Sequence, residues 1–261
     1  MARYINASDL GKLLGPEYSF HWTSESDIQR IIFNKPQESE VKKAICSLPE
    51  KSISDVLQTF IKPETDISTI KSVLKKRKIS IPNETSEIIN AYNKSELEHV
   101  IEQSKKEIAQ ENNHTGFTEK KLFFSEQLPE SLQKVVKDSF NMERGNIEEE
   151  RIIKKFSIKK TNKLEYFTFN VNGQYYKIGC RFDGPGIEIK TRVNRFMGTP
   201  DYELVQMHVY MAVSNTLKWI LKEKFNDQVV DHEIFFNDFF FEKIKNDIHN
   251  RWEFFLQKNK K

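Results

Sequence analysis

The chain of 261 residues holds only two cysteines, Cys46 and Cys180. They lie far apart and form no Cys-x-x-Cys pair, which argues against a zinc site or an iron–sulfur cluster and for ordinary reduced thiols. No apolar run approaches the length that spans a bilayer. Met1 to Gly15 lacks a continuous apolar core, so no cleavable secretory signal is read there and an intracellular, soluble protein is expected. A Gly-x-x-x-x-Gly-Lys-Ser/Thr loop is missing too, which argues against ATP-driven work. Charge of one sign is also lacking. With 41 basic and 38 acidic residues the net charge is +3, too even a balance to announce a nucleic-acid partner.

What is present suffices for a real core: 38% hydrophobic residues and 20 Phe, in one large domain or one domain with an insertion. Near the start, Arg3 to Asp9 leads into Leu10, Leu13 and Leu14 at helical spacing, and Gly15-Pro16 ends the run. Ser8 is the expected N-cap. Such a helix start can instead hold a phosphate, with Ser8 and Arg3 as donors, and both readings stay open. From 24 to about 110 the pattern predicts short amphipathic helices broken by Lys35-Pro36, Lys62-Pro63 and Ile81-Pro82. Ser95-Glu96-Leu97-Glu98 has the form of a capping box, so a helix is expected to open there and end near Gln110. Ser52 to Pro63 and Asp66 to Arg77 resemble each other too loosely to make a repeat array. Asn112 to Gly116 reads as a loop. The organisation expected is a main domain over 1–23 and 116–261, with a helical insertion or subdomain over 24–115.

Leu132 to Phe156 is helical in pattern, with Gly145 predicting a break or a close backbone approach. The glutamates 148 to 150 read as solvated. Tyr166 to Val171 and Gln174 to Asp183 alternate as strands, joined by the two-residue hairpin signal Asn172-Gly173. Ile187 to Val193 is a third strand, and the three are expected to form an antiparallel meander. Thr199 should cap a long helix with Pro200 in its first turn. Tyr202, Gln206 and Tyr210 recur on that helix at i, i+4 and i+8, ordinarily a packing stripe; a buried glutamine there needs hydrogen-bond partners. His232 to Phe236 suggests a strand, and Asp238 to Gln257 a closing helix.

The chemistry concentrates between Gly179 and Lys190. Strand alternation puts Glu188 and Lys190 on one face and Ile187 and Ile189 on the other. The Gly184-Pro185-Gly186 turn brings Asp183 near. A Glu-x-Lys pair on a strand usually belongs to a solvated face. Two carboxylates converging on one point instead suit a hard cation such as Mg²⁺ or Mn²⁺, with a lysine at the rim to orient a water. Three basic runs surround this reading: Lys71 to Lys78, Lys154 to Lys163, and Lys190 with Arg192 and Arg195. The third adjoins the carboxylates and is the best placed to touch phosphate.

In order, these pieces resemble the PD-(D/E)xK nuclease superfamily, and within it the lambda-exonuclease-like, YqaJ-type viral recombinase group. Ile5-Asn6-Ala7-Ser8-Asp9 looks like that group's N-terminal serine segment. Arg144-Gly145-Asn146-Ile147-Glu148-Glu149 resembles its Gly-x-x-x-Glu helix motif, with Glu149 as the matching acid and Glu148 as the fallback. Gly179 to Lys190 resembles its Asp and Glu-x-Lys motifs, and Gln206 to Tyr210 its Gln-x-x-x-Tyr motif. The likeness covers roughly 1–23 and 116–257. It departs from the pattern in the short connection between Asp183 and Glu188 and in Phe182, where proline is usual.

The resemblance implies an α/β fold of mixed α+β type: a restriction-endonuclease-like core with a central mixed sheet flanked by helices. It implies Mg²⁺-dependent hydrolysis of double-stranded DNA, with 5′-to-3′ exonuclease action favoured and a role in viral-type recombination, repair or replication. The metal ligands would be Asp183, Glu188, Glu149 and the Ile189 carbonyl, with Mn²⁺ as a substitute. Lys190 would position or deprotonate the attacking water, its proton affinity lowered by the cations. Gln206 and Tyr210 would brace the site, and Ser8, Arg3, Arg192, Arg195 and Tyr210 would face DNA. A single-strand annealing protein and further copies of the chain are the other partners considered, with no membrane, in host cytoplasm or nucleus if the source is viral. The alternatives are a structure- or site-specific endonuclease of the same fold and a DNA-binding recombination module without hydrolysis.

Overall fold

The computed structural model describes residues 2–15, 18, 24–33, 39–60, 66–110, 114–161 and 163–258. Among them the architecture is mixed α and β, with ten α-helices and two sheets of three strands each. In chain order the elements are β1 (Arg3–Asn6), α1 (Leu10–Leu14), α2 (Glu25–Ile32), α3 (Glu40–Ser47), α4 (Glu50–Phe60), α5 (Ile67–Lys76) and α6 (Thr85–Gln110). There follow α7 (His114–Glu126), α8 (Glu130–Lys155), β2 (Glu165–Val171), β3 (Gln174–Cys180), β4 (Ile187–Thr191), α9 (Asp201–Ser214), β5 (Lys218–Phe225), β6 (Gln228–Phe235) and α10 (Asp238–Lys258).

The chain divides into two compact units, 1–37 with 148–261, and 38–147. The second unit therefore runs past 115, the boundary expected from sequence, because its apolar cluster recruits α8: Leu132, Val136 and Phe140 pack with Ile53, Leu57, Leu97 and Ile101. A smaller cluster in the same unit joins Ile70 and Leu74 of α5 to Ile88 and Tyr92 of α6. Helices here form for the expected reason, apolar residues at i, i+3 and i+4. Several local details differ. Ser95 does not open a helix. It sits inside α6, buried, and accepts a hydrogen bond from Arg77 Nη1 at 2.7 Å, because the helix already begins at Thr85. Gly145 causes no break in α8, and a Cβ there would meet nothing within 4 Å. His114 to Gly116 open α7 rather than a loop. The break at Ile81-Pro82 separates α5 from α6; those at Lys35-Pro36 and Lys62-Pro63, with Asn112 and Asn113, lie outside the described residues.

In the first unit, β2 and β3 form the Asn172-Gly173 hairpin, Val171 pairing with Gln174 and both loop residues at positive φ, +51° and +79° as a two-residue turn requires. β1 adds to β3 in parallel, Ile5 opposite Ile178. The expected meander stops there. β4 leaves for a second sheet, where it pairs in parallel with β5, Glu188 opposite Leu221, and β5 pairs antiparallel with β6. Helix α9 packs against β2 and β3 of one sheet and β5 of the other. Its residues Val205, Met207, Val209 and Met211 share one core with Ile5, Tyr176, Ile178, Trp219, Leu221 and Trp252.

Both expected caps fail. Thr199 does not cap α9; Pro200 takes the N-cap position with no side-chain bond. Ser8 is exposed within a three-residue 3-10 turn, Ala7–Asp9, and neither Asn6 nor Asp9 caps by side chain. α1 is only five residues long, so little dipole accumulates at its start.

Candidate functional site

The site is built where the chain passes from one sheet to the other. Cys180 ends β3, and Gly184 to Ile187 form a tight turn, closed by the Ile187 amide donating to the Gly184 carbonyl at 3.2 Å. Gly186 takes φ +70°, a conformation that costs an L-side chain about 1 kcal/mol or more. The turn lets Asp183 fold back on β4, its Oδ2 accepting the Ile189 amide at 2.8 Å. On β4 the alternation behaves as the sequence predicts. Ile189 is fully buried among Ile152, Ile153, Ile158 and Ile187, and Glu188 and Lys190 share the other face. Glu188 is nonetheless no surface residue: it is 4% exposed.

Glu188 Oε1 accepts from Lys190 Nζ at 2.7 Å and from Gln206 Nε2 at 3.3 Å. Its Oε2 is buried with no hydrogen-bond partner. Leaving a buried carboxylate oxygen unsatisfied costs about 1–3 kcal/mol or more, so such an atom calls for a proton, a water or a cation as its counterpart. Gln206 also donates to the Tyr210 hydroxyl. The Tyr210 ring packs edge-on to Phe182 at 5.0 Å and against Trp219 at 5.3 Å. The glutamine, a candidate because it would need partners if buried, thus has them.

From α8, Glu149 faces this group. Burial and the nearby Asp183 charge push its pKa up to about 7, against the opposing pull of Lys190 and Lys160. Burial raises Asp183, opposed by the Ile189 amide and Lys190. Glu188 is pushed up to about 7 by burial, with the Asp183 and Glu149 charges adding and Lys190 opposing. The Asp183 charge thus hinders ionisation of both Glu149 and Glu188, and Lys190 favours ionisation of all three. Burial works against the charge on Lys190, but Glu188, Glu203 and Asp183 outweigh it and raise its pKa. The carboxylates stabilise the ammonium; the lowering expected from sequence is the effect of cations bound beside it, which would act in the opposite direction. Glu148, the fallback acid, plays a different part: burial opposes its ionisation, but ion pairs with Lys224 and Arg151 hold its carboxyl below the usual range.

The other nominated residues divide sharply. Arg192 is not offered to a phosphate. It is buried, with Nη1 and Nη2 donating to the two oxygens of Glu203 at 2.8 Å each and Nε to Glu223 at 2.6 Å. Glu223, fully buried, also accepts the Met197 and Gly198 amides and bonds His232 Nε2 at 2.9 Å. Arg3 is likewise engaged internally, Nη1 donating to Tyr176 at 2.9 Å and to Glu253 at 2.5 Å. Arg195 and Ser8 are exposed. Two of the three basic runs reach the carboxylates: the third through Lys190, 2.7 Å from Glu188, and the second through Lys160, near enough to lower both Glu149 and Asp183. Sequence patterning did not mark Glu203, Glu223 or His232; Glu223 sits on β5, a strand absent from the sequence expectation.

Among the described residues, no three His, Cys, Asp or Glu side chains converge closely enough to hold a metal ion as they stand. The donor chemistry still fits a hard cation: three carboxylates in one group, with the Asp183 charge acting on both glutamates, and a buried oxygen on Glu188 with no partner. No described helix is long and apolar enough to cross a membrane.

No protein-family model and no curated protein matches the chain. Among solved proteins, the crystal structure of SSO0001 is similar over 58% of this chain and 84% of that one, at 19% sequence identity and a TM-score of 0.38. That likeness is too loose to carry an argument about either fold or function.

Proposed function

We propose that this chain is a metal-dependent deoxyribonuclease of the PD-(D/E)xK type, its two mixed sheets and α9 corresponding to a restriction-endonuclease-like core. The observation that carries the reading is the partnerless Glu188 Oε2, buried beside Asp183, Glu149 and a charged Lys190. Asp183, Glu188, Glu149 and the Ile189 carbonyl would hold Mg²⁺ or Mn²⁺. Such a cation, when bound, supplies charge to the scissile phosphate and acidifies a water. The chain's own residues do the positioning. Gln206, bonded to both Glu188 and Tyr210, fixes the carboxylate's orientation. Lys190, held by Glu188 Oε1, would keep an ammonium beside an attacking water or a developing phosphorane charge.

Exonuclease action from a 5′ end is favoured over internal cutting by the motif resemblance alone; neither Arg3 nor Arg192 supports it, since both are engaged internally. The test is digestion of linear and circular duplex DNA with Mg²⁺, comparing 5′-phosphorylated with 5′-hydroxyl ends. Purified protein should degrade the linear duplex and leave the circle intact, and Asp183→Asn and Lys190→Ala should each lower the rate by about 10²-fold or more. Undiminished digestion by either variant would sink the site.

A further inference from the structure

The outer face of the β1-β3-β2 sheet carries a feature that the nuclease site does not use. Its inner face is core: Ile5, Phe169, Tyr176 and Ile178 are buried. Alternation sends Tyr4, Tyr166, Tyr175 and Lys177 the other way. Tyr166 is 45% exposed and Tyr175 62%, and neither stands opposite another ring in the ladder, their partners being Gly179 and Asn170. The Tyr4 and Tyr166 rings meet edge to face at 6.4 Å, and Lys177 Nζ stands 3.7 Å from the Tyr166 centroid. Tyr4 lies across Gly179, where any Cβ would collide with its hydroxyl, so the glycine keeps the ring flat over the strand.

The charges on this face are of one sign. Arg181, exposed, is near enough to Tyr4 to lower its pKa against the effect of burial. Neither Lys177 nor Arg181 forms an ion pair among the described residues. The neighbouring acids are occupied, Asp9 with Lys12 at 3.7 Å and Glu165 with Lys163 at 3.9 Å. Exposed rings interleaved with unpaired cations are the arrangement that holds unpaired bases by stacking and their phosphates by charge. The stripe also leads somewhere: Arg181 stands two positions before Asp183 in the connector that builds the carboxylate site.

We infer that this sheet face is a platform for single-stranded DNA, with bases stacked on Tyr166, Tyr175 and Tyr4 and phosphates met by Lys177 and Arg181. In taking DNA as the polymer the inference rests on the proposed nuclease reading, and the experiment separates the two. Anisotropy of a fluorescein-labelled oligothymidylate of about 16 nucleotides is measured in chelator, where hydrolysis cannot occur. The full chain should bind it more tightly than a blunt duplex of equal length. Tyr166→Ala and Tyr175→Ala should each weaken binding about tenfold. Tyr166→Phe, which keeps the ring, should bind as the unsubstituted chain does, and Lys177→Gln should reduce the salt slope by about one. Circular dichroism of each variant controls for folding, and Tyr175→Ala, at an exposed position, remains informative if Tyr166→Ala unfolds. Unchanged affinity in folded alanine variants, or no single-strand binding by the parent chain, overturns the platform even if duplex is digested. Binding that follows these expectations in a protein that hydrolyses nothing leaves the platform standing and removes the nuclease.

Discussion

Glu188 has one oxygen bonded twice and the other not at all, and that imbalance makes its ionisation measurable. Its pKa is pushed from an ordinary 4.5 to about 7. Between those values the folded chain keeps a proton that the unfolded chain has released. The stability this contributes is fully present below 4.5 and is lost as pH rises through about 7. In chelator, thermal unfolding should fall to lower temperature across that window, a loss on the order of 3 kcal/mol if Glu188 acted alone. Glu188→Gln should flatten the dependence. Mg²⁺ replaces the proton rather than adding to it, so its stabilising effect should be larger at about pH 8 than at about pH 5. A melting temperature independent of pH in the parent chain would contradict the burial of this carboxyl.

At the scale of elements, Arg192 clamps the start of α9 to β5. Its guanidinium lies between Glu203, 2% exposed, and Glu223, fully buried. Removing it takes three charge-assisted hydrogen bonds from two buried carboxylates, so Arg192→Met should cost about 3–5 kcal/mol in urea unfolding. A residue whose task was phosphate contact would instead weaken DNA binding with little change in stability. The same network explains what was hard to read in the sequence. The Asn-Gly hairpin, α9, α10 and the Glu-x-Lys alternation are set by neighbours within a few positions, and all were legible; the start of α6 was not, because a capping-box pattern at Ser95 lies inside a helix that begins at Thr85. β5 was not, because its buried positions include Lys222 and Glu223, which look solvent-facing until Asp231, Arg192 and His232 are brought to them. The parallel pairing of β4 with β5 likewise depends on segments separated by a whole helix. Glu149 stood as the matching acid by motif spacing, and the different part played by Glu148 came to light only with its partner Lys224, which is distant in sequence.

On the scale of the whole molecule, each unit has its own apolar clusters, and the acids of the candidate site all belong to the unit formed by 1–37 and 148–261. Within it, β3 and β4 lie in different sheets although only a short connector joins them. The two sheets are each held by their own ladders and by a common helix, and the connector ties them further, with Phe182 in their shared core and the Gly186 carbonyl accepting the Ile220 amide at 2.9 Å. Between those two anchors, the length of the turn sets the separation of Asp183 from Glu188. One glycine inserted between the buried Gly184 and the exposed Pro185 opens the bonds between Gly184 and Ile187 but leaves both ladders in place, so it should lower the melting temperature by a few degrees without unfolding the chain, yet abolish digestion. Catalytic spacing in this protein would then be a matter of loop length, open to adjustment residue by residue without redesigning either sheet.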